Sequence, residues 1–147
     1  MIDKFKDISF YLIIGFVINA VSEWLDSSFF SDYLEKNLIT LLIALLAINT
    51  TTMSVLMTKL KEIVNSTGGN FINTVDQLRK SRFEQIMYII LTATVLVLAG
   101  SPKILTLYSS MKFILHTLLA SIFVASMHTL FDTANAIFVI LNFEHKK

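Results

Sequence analysis

The 147-residue chain has no cysteine, one proline, four glycines and one tryptophan, and only 16% of its residues are charged. Without cysteine there is no disulfide framework and no thiolate metal site, and the redox compartment stays open. Four glycines and the single Pro102 exclude collagen-like, linker-like and low-complexity readings. A formal net charge of +1 removes the electrostatic ground for expecting a nucleic acid partner. The sequence holds no glycine-rich phosphate loop, no GxSxG elbow and no HExxH pair, and none of its serines or threonines sits in a recognisable nucleophile–base arrangement. The expectation is a non-enzymatic protein with no cofactor.

What the chain has in excess is apolar character. Hydrophobic residues make up 54% of it and the mean hydropathy is +0.68, where a soluble domain carries about 25% charged and 45–50% apolar residues. Four segments are long and apolar enough to test against a bilayer, which needs roughly 20 residues per helix: Ile8 to about Leu25, Leu38 to about Leu60, about Phe83 to Gly100, and Phe113 to Phe143. The last is long enough to tilt or to continue past the membrane. Four such segments leave too little polar surface to cover a soluble particle of this size. This predicts an all-α integral membrane bundle of four transmembrane helices forming one domain over 1–147. A short amphipathic cytoplasmic helix is expected in the loop between spans 2 and 3, at about 61–82.

Lysine and arginine placement predicts the orientation. Nine of the twelve fall on one side: Lys4, Lys6, Lys59, Lys61, Arg79, Lys80, Arg82, Lys146 and Lys147. The other side holds Lys36, Lys103 and Lys112, with the acids Glu23, Asp26, Asp32 and Glu35 in the first outer loop. Both termini and the central loop are therefore expected in the cytoplasm, with a bacterial inner membrane as the compartment suggested by small size and the lack of an organellar signal. Trp24, Tyr33 and Tyr108 fit the aromatic belt of the outer interface. A rival reading takes Lys4, Lys6 and Ala20-Val21-Ser22 as a cleavable signal peptide, but Asp3 and Asp7 put acids where that signal needs bases.

In the central loop, Asn65-Ser66-Thr67-Gly68-Gly69-Asn70 reads as a turn. After it, Phe71, Ile72, Val75, Leu78 and Phe83 are spaced to share a helix face. The basic residues Arg79, Lys80 and Arg82 lie away from that face, where they anchor the topology or face lipid headgroups or a partner.

Polar seams within the spans suggest how the helices associate, because helices in lipid meet through small residues and hydrogen bonds. The second span carries Thr40, Ala44, Ala47, Thr51, Ser54 and Thr58 at alternating spacings of four and three, with Asn49, Thr50 and Thr52 beside them. The first repeats the idea with Gly15, Asn19, Ser22 and Asp26, and the third more loosely with Gln85, Tyr88, Thr92 and Ala99. In the fourth, Ser121, Ala125, His128, Asp132 and Asn135 share a face, and His128 and Asp132 are one turn apart. Three readings of that pair compete. It is interhelical glue, with Asn19 or Asn49 as partners, or part of a hydrated ion or proton path, or a ligand, lipid or metal site. His116 lies twelve residues before His128, about 18 Å along the helix, which excludes one metal ion bound by both within a chain.

In span count, length and short loops, the chain looks like small four-span membrane subunits of bacterial systems, including those that accompany anti-phage defence modules. No stretch of sequence carries that likeness. The expected function is a self-associating membrane subunit that senses or transmits membrane perturbation with a cytosolic protein partner. The alternative is an oligomeric channel or pore-forming effector, in which Thr51, Ser54 and Thr58 or the Ser121–Asn135 face line a water path. An intramembrane enzyme or lipid-handling protein would need a convergent acid and base, for which only His128 with Asp132 comes close.

Overall fold

The computed structural model describes residues 2–67, 72–107 and 110–144, and side-chain surroundings over 6–65, 72–106 and 110–135. The described chain is helical, with five elements: α1 (Ile2–Trp24), α2 (Phe29–Thr67), α3 (Ile72–Ala99), α4 (Pro102–Leu107) and α5 (Met111–Glu144). Four of them, α1, α2, α3 and α5, are long and apolar enough to cross a membrane. Their outward faces carry large apolar side chains, including Ile13, Val17, Ile43, Val55, Ile90 and Val97. Water would not tolerate so extended an apolar exterior; a bilayer supplies its solvent. The fold is thus a helical bundle compatible with a multi-pass membrane protein.

The helix ends follow from local chemistry. Asp26, with φ 49°, closes α1: its N–H donates to the Glu23 carbonyl at 3.0 Å and that of Ser27 to the Ser22 carbonyl at 2.9 Å, the paired bonds of a Schellman cap. Asp26 therefore belongs to the turn and not to the α1 seam. Ser28 opens α2, its hydroxyl donating to Asp32 at 2.8 Å, and an acid in the first turn suits the helix dipole. Gly100-Ser101-Pro102 ends the third span as expected. A further short helix, α4, then starts there, with Pro102 at its first position and the Ser101 carbonyl accepting from Ile104 and Leu105.

The central loop differs from expectation. Residues 65–67 continue α2 instead of turning, while Gly68, Gly69, Asn70 and Phe71 lie outside the described residues, as do Tyr108, Lys146 and Lys147. The amphipathic stretch is the first part of α3, running unbroken into the third span because no glycine or proline interrupts 72–99. At 39 residues α2 is about 58 Å long, nearly twice the roughly 30 Å hydrocarbon core of a bilayer. The surplus falls where Lys59, Lys61, Glu62, Arg79, Lys80 and Arg82 are exposed. There α2 and α3 form a helical hairpin around Met53, Leu56, Leu60, Ile63 and Leu78, with Val75 packed against them. Ile72 and Phe83 stay outside this cluster, 64% and 63% exposed, so only part of the expected apolar face is used.

α5 is the pillar of the bundle. Half of its span is buried, against 11–22% for the other three, and it touches α1, α2 and α3, while α2 and α3 also pack on one another. Helix α1 packs on α5 and makes no comparable contact with α2 or α3. The main core joins Leu34, Leu38 and Leu42 of α2, Val95 of α3, and Leu115, Leu119, Ala120 and Ile122 of α5. Contacts of Tyr11 with His128 and of Asn19 with Phe113 run α1 antiparallel to α5. Ser81 with Thr133, and Val95 in the Leu115–Ile122 cluster, do the same for α3. One end of the bundle, the basic end, therefore gathers the start of α1, the α2–α3 hairpin and the far part of α5. The other, the acidic end, gathers residues 24–28 and the start of α5.

Candidate functional site

Helix α1 meets α5 at Gly15. A Cβ built there would collide with Ser121 Oγ and stand 2.7 Å from the Ser121 nitrogen and 2.8 Å from the Thr117 carbonyl oxygen. One turn on, the Asn19 amide nitrogen donates to the Phe113 carbonyl and to Thr117 Oγ1, both at 3.0 Å. Gly15 and Asn19 are buried and Ser22 half-buried, so this seam packs helices as its spacing predicts. Ser121 is buried beneath it, its hydroxyl donating to the Thr117 carbonyl at 2.7 Å.

His128 and Asp132 are placed otherwise than their partners were expected to put them. Neither Asn19 nor Asn49 reaches them. Tyr11 does, with its hydroxyl 2.8 Å from His128 Nδ1 and the two rings 5.6 Å apart. Asp132 Oδ2 lies 3.5 Å from the same Nδ1, so the shorter tyrosine contact dominates. The side chains of His128 and Asp132 are 45% and 61% exposed, and Asn135 is exposed too. The shared face is thus split, with Ser121 and Ala125 inside the bundle and the three polar residues on its flank near the basic end. A second imidazole, His116, is held at the acidic end by Glu35 of α2 at 2.7 Å, its side chain only 10% exposed. Beside that pair an open cleft of about 1020 Å³ lies among α1, α2 and α5, with Asn19, Glu23, Trp24, Lys112 and His116 on its walls.

The α2 seam faces out of the bundle. Thr40, Ala44, Ala47, Thr51, Ser54 and Thr58 are all exposed. The stripe that packs inside the chain is Leu34, Leu38, Leu42, Asn49, Met53, Leu56, Leu60 and Ile63. Thr40, Ala44, Thr51 and Thr58 each follow a buried residue by two positions, about 200° around the helix, so the small residues occupy the opposite side. The hydroxyls of Thr51, Ser54 and Thr58 are satisfied within the helix. Thr51 donates to the Ala47 carbonyl and Ser54 to that of Thr50, each at 3.0 Å, and Thr58 to that of Ser54 at 3.1 Å. Such back-bonding lets these three residues face lipid or another chain with no unpaired donor.

The interior of the bundle is polar over part of its depth. Asn49, Gln85 and Thr92 are 0%, 3% and 0% exposed. The amide nitrogen and oxygen of Asn49, those of Gln85, and the Thr92 hydroxyl have no hydrogen-bond partner. Each unmet buried group costs about 1–3 kcal/mol. Spacing had marked Gln85 and Thr92 as one face of the third span. Their α5 counterparts were missed: Ser126, Thr129 and Thr133 are buried, whereas the pattern chosen for that helix followed His128 and Asp132. The missed signal is a register, because Leu115, Leu119, Ile122, Ser126, Thr129 and Thr133 continue one four–three alternation. The pairing of Tyr11 with His128 and of Glu35 with His116 carries no sequence signal.

Arg79, Lys80 and Arg82 are exposed on the first half of α3, together with Lys59 and Lys61 on α2. They form a basic surface on a helical hairpin and not on a loop. Comparison with protein-family models, curated proteins and solved structures gives no match for this chain.

Proposed function

We propose that the chain is a self-associating, non-enzymatic membrane subunit that transmits membrane perturbation to a cytosolic protein partner. The observation that carries the reading is the outward stripe Thr40–Thr58, six small residues in heptad spacing, all exposed. Helices in lipid gain nothing from apolar contact as such, and small residues matter because they let two backbones approach. A second copy presenting the same stripe would pair with it at the shallow left-handed crossing that this spacing favours. Two further features support the reading. α1 packs chiefly on α5, which leaves one helix able to respond to lipid packing. The basic hairpin supplies a docking surface that positive-inside bias assigns to the cytoplasm, with both chain termini on the same side. A bacterial inner membrane and a place in an anti-phage defence system complete the proposal.

Energy transfer between donor- and acceptor-labelled copies in liposomes, across a lipid dilution series, tests it. Association is expected for the parent protein and for Val97→Leu, on the outward face of α3, and is expected to fall for Ala47→Leu and Thr51→Leu. A monomer at every dilution, or association indifferent to Ala47→Leu, overturns the reading. The same stripe supports the channel alternative, since hydroxyls on a shared face line water paths as well as contacts. Ion flux through parent liposomes that Thr51→Leu abolishes would favour that alternative.

A further inference from the structure

Three heptad stripes converge on the axis of the α2–α3–α5 bundle, and all three change character along it. On α5 the stripe passes from Leu115, Leu119 and Ile122 to Ser126, Thr129 and Thr133. On α3, running the other way, it passes from Val95 to Thr92 and Gln85, and then to half-buried Ser81. The contact of Ser81 with Thr133 at 3.2 Å sets the register between these helices. Counting antiparallel from it puts Gln85 level with Thr129, Thr92 with Ile122 and Val95 with Leu119. The switch from apolar to polar therefore falls within about one helical turn on the two helices, with Thr92 the first polar residue, opposite Ile122. On α2, Leu42 belongs to the cluster of Val95 and Leu119, and Met53 to the cluster of Leu78, so Asn49, between them, lies within the polar zone. From Thr92 to Ser81 that zone is eleven residues deep, about 16 Å of helix rise.

The unmet groups there are of both kinds, amide N–H donors and carbonyl or hydroxyl acceptors. A bare cation would satisfy the oxygens and repel the amide protons. Water satisfies both, typically through two to four partners per buried molecule. The α5 hydroxyls add acceptor oxygens, since each already donates its proton to an α5 carbonyl: Ser126 to Phe123 at 2.7 Å, and Thr129 to Ala125 and Thr133 to Thr129 at 3.1 Å. We propose that Asn49, Gln85 and Thr92 form an internal hydration site in the bundle core, closed toward the acidic end by the leucine cluster and continued toward the basic end by Ser81 and Thr133. It is a property of the single chain and does not rest on self-association.

The absence of native cysteine makes thiol accessibility a clean test. Asn49→Cys, Gln85→Cys and Thr92→Cys are made singly in the full chain, reconstituted in liposomes and exposed to a small water-soluble methanethiosulfonate. Leu119→Cys, in the leucine cluster, is the dry reference. A dry apolar site raises a thiol pKa by one or more units, which removes about tenfold or more of the reactive thiolate. Labelling at Gln85→Cys and Thr92→Cys is expected to exceed that at Leu119→Cys by roughly that factor. Rates no faster than the reference at all three positions overturn the proposal. Thr92→Val gives a second reading free of the probe: the isosteric change removes the hydroxyl, so it lowers the melting temperature if water is bound there. An unchanged or raised melting temperature, the result for an unpaired hydroxyl in a dry core, also overturns it.

Discussion

Replacing Gly15 by alanine sets two opposed effects against each other, and their sizes decide the sign. In an exposed helix the change would stabilise by about 1 kcal/mol through helix propensity. Here the new methyl would meet the Ser121 nitrogen at 2.7 Å and the Thr117 carbonyl oxygen at 2.8 Å, atoms of the α5 backbone that cannot rotate aside. Overpacking of this kind costs about 1–3 kcal/mol. Moving α1 outward to relieve it stretches both Asn19 bonds to α5, each worth about 0.6 kcal/mol within a membrane. The losses total roughly 2–4 kcal/mol against a gain of about 1, so Gly15→Ala should destabilise by about 1–3 kcal/mol. The damage is local, because α1 rests chiefly on α5. It should appear as a lower yield of the oxidative cross-link between cysteines placed at Phe16 and Phe113, whose rings lie 5.6 Å apart. Unfolding by sodium dodecyl sulfate in mixed micelles supplies the free energy. An unchanged cross-link with unchanged or increased stability would refute the close approach of α1 to α5.

Asp26→Gly should stabilise by about 1 kcal/mol in the same micelle titration, because Asp26 holds φ 49° in a region that L-residues enter at a cost of about 1–2 kcal/mol. Leu78→Ala, in the hairpin cluster, should cost about 2–5 kcal/mol locally; hydrogen exchange should speed up over residues 72–82 and stay slow around Leu119. Glu35→Ala leaves His116, whose side chain is 10% exposed, without its acceptor and should cost about 1–3 kcal/mol. Glu35→Gln keeps an acceptor oxygen and should lose less than half as much in thermal melts.

Much of the fold was legible because lipid imposes a length. The first and third spans were placed within a few residues at the ends where capping signals exist, Ser22–Ser27 and Gly100–Pro102. Where such signals are lacking, as from Leu60 to Thr67 and from Ile72 to Phe83, hydropathy marks only where the bilayer ends and not where the helix does. The Asn–Ser–Thr run after Val64 reads as a turn from propensity. Leu60 and Ile63 packing against Leu78 carry the helix past it, a tertiary effect that overrides a small local preference.

The candidate site was legible by spacing and illegible by direction, and α2 shows why. Its two opposed stripes have the same heptad period, so periodicity says that two faces are special without saying which turns inward. What separates them is the number of helices that meet at each face. α1 and α5 meet as a pair, and a pair packs closely through a glycine at its crossing, as Gly15 does. α2, α3 and α5 meet as three around a shared axis, which is wider than a pairwise contact and must be filled by long side chains such as Leu38, Leu42 and Leu119. Along the leucine-filled part of that axis, small residues on α2 would leave voids, and cavities of this sort cost about 24 cal/mol per Å³. The small stripe of α2 is therefore turned away from the three-way core, and a small-residue heptad is more useful against a single helix than against lipid. Among the described residues no second helix of the chain covers it, which is the ground on which self-association through this stripe is proposed.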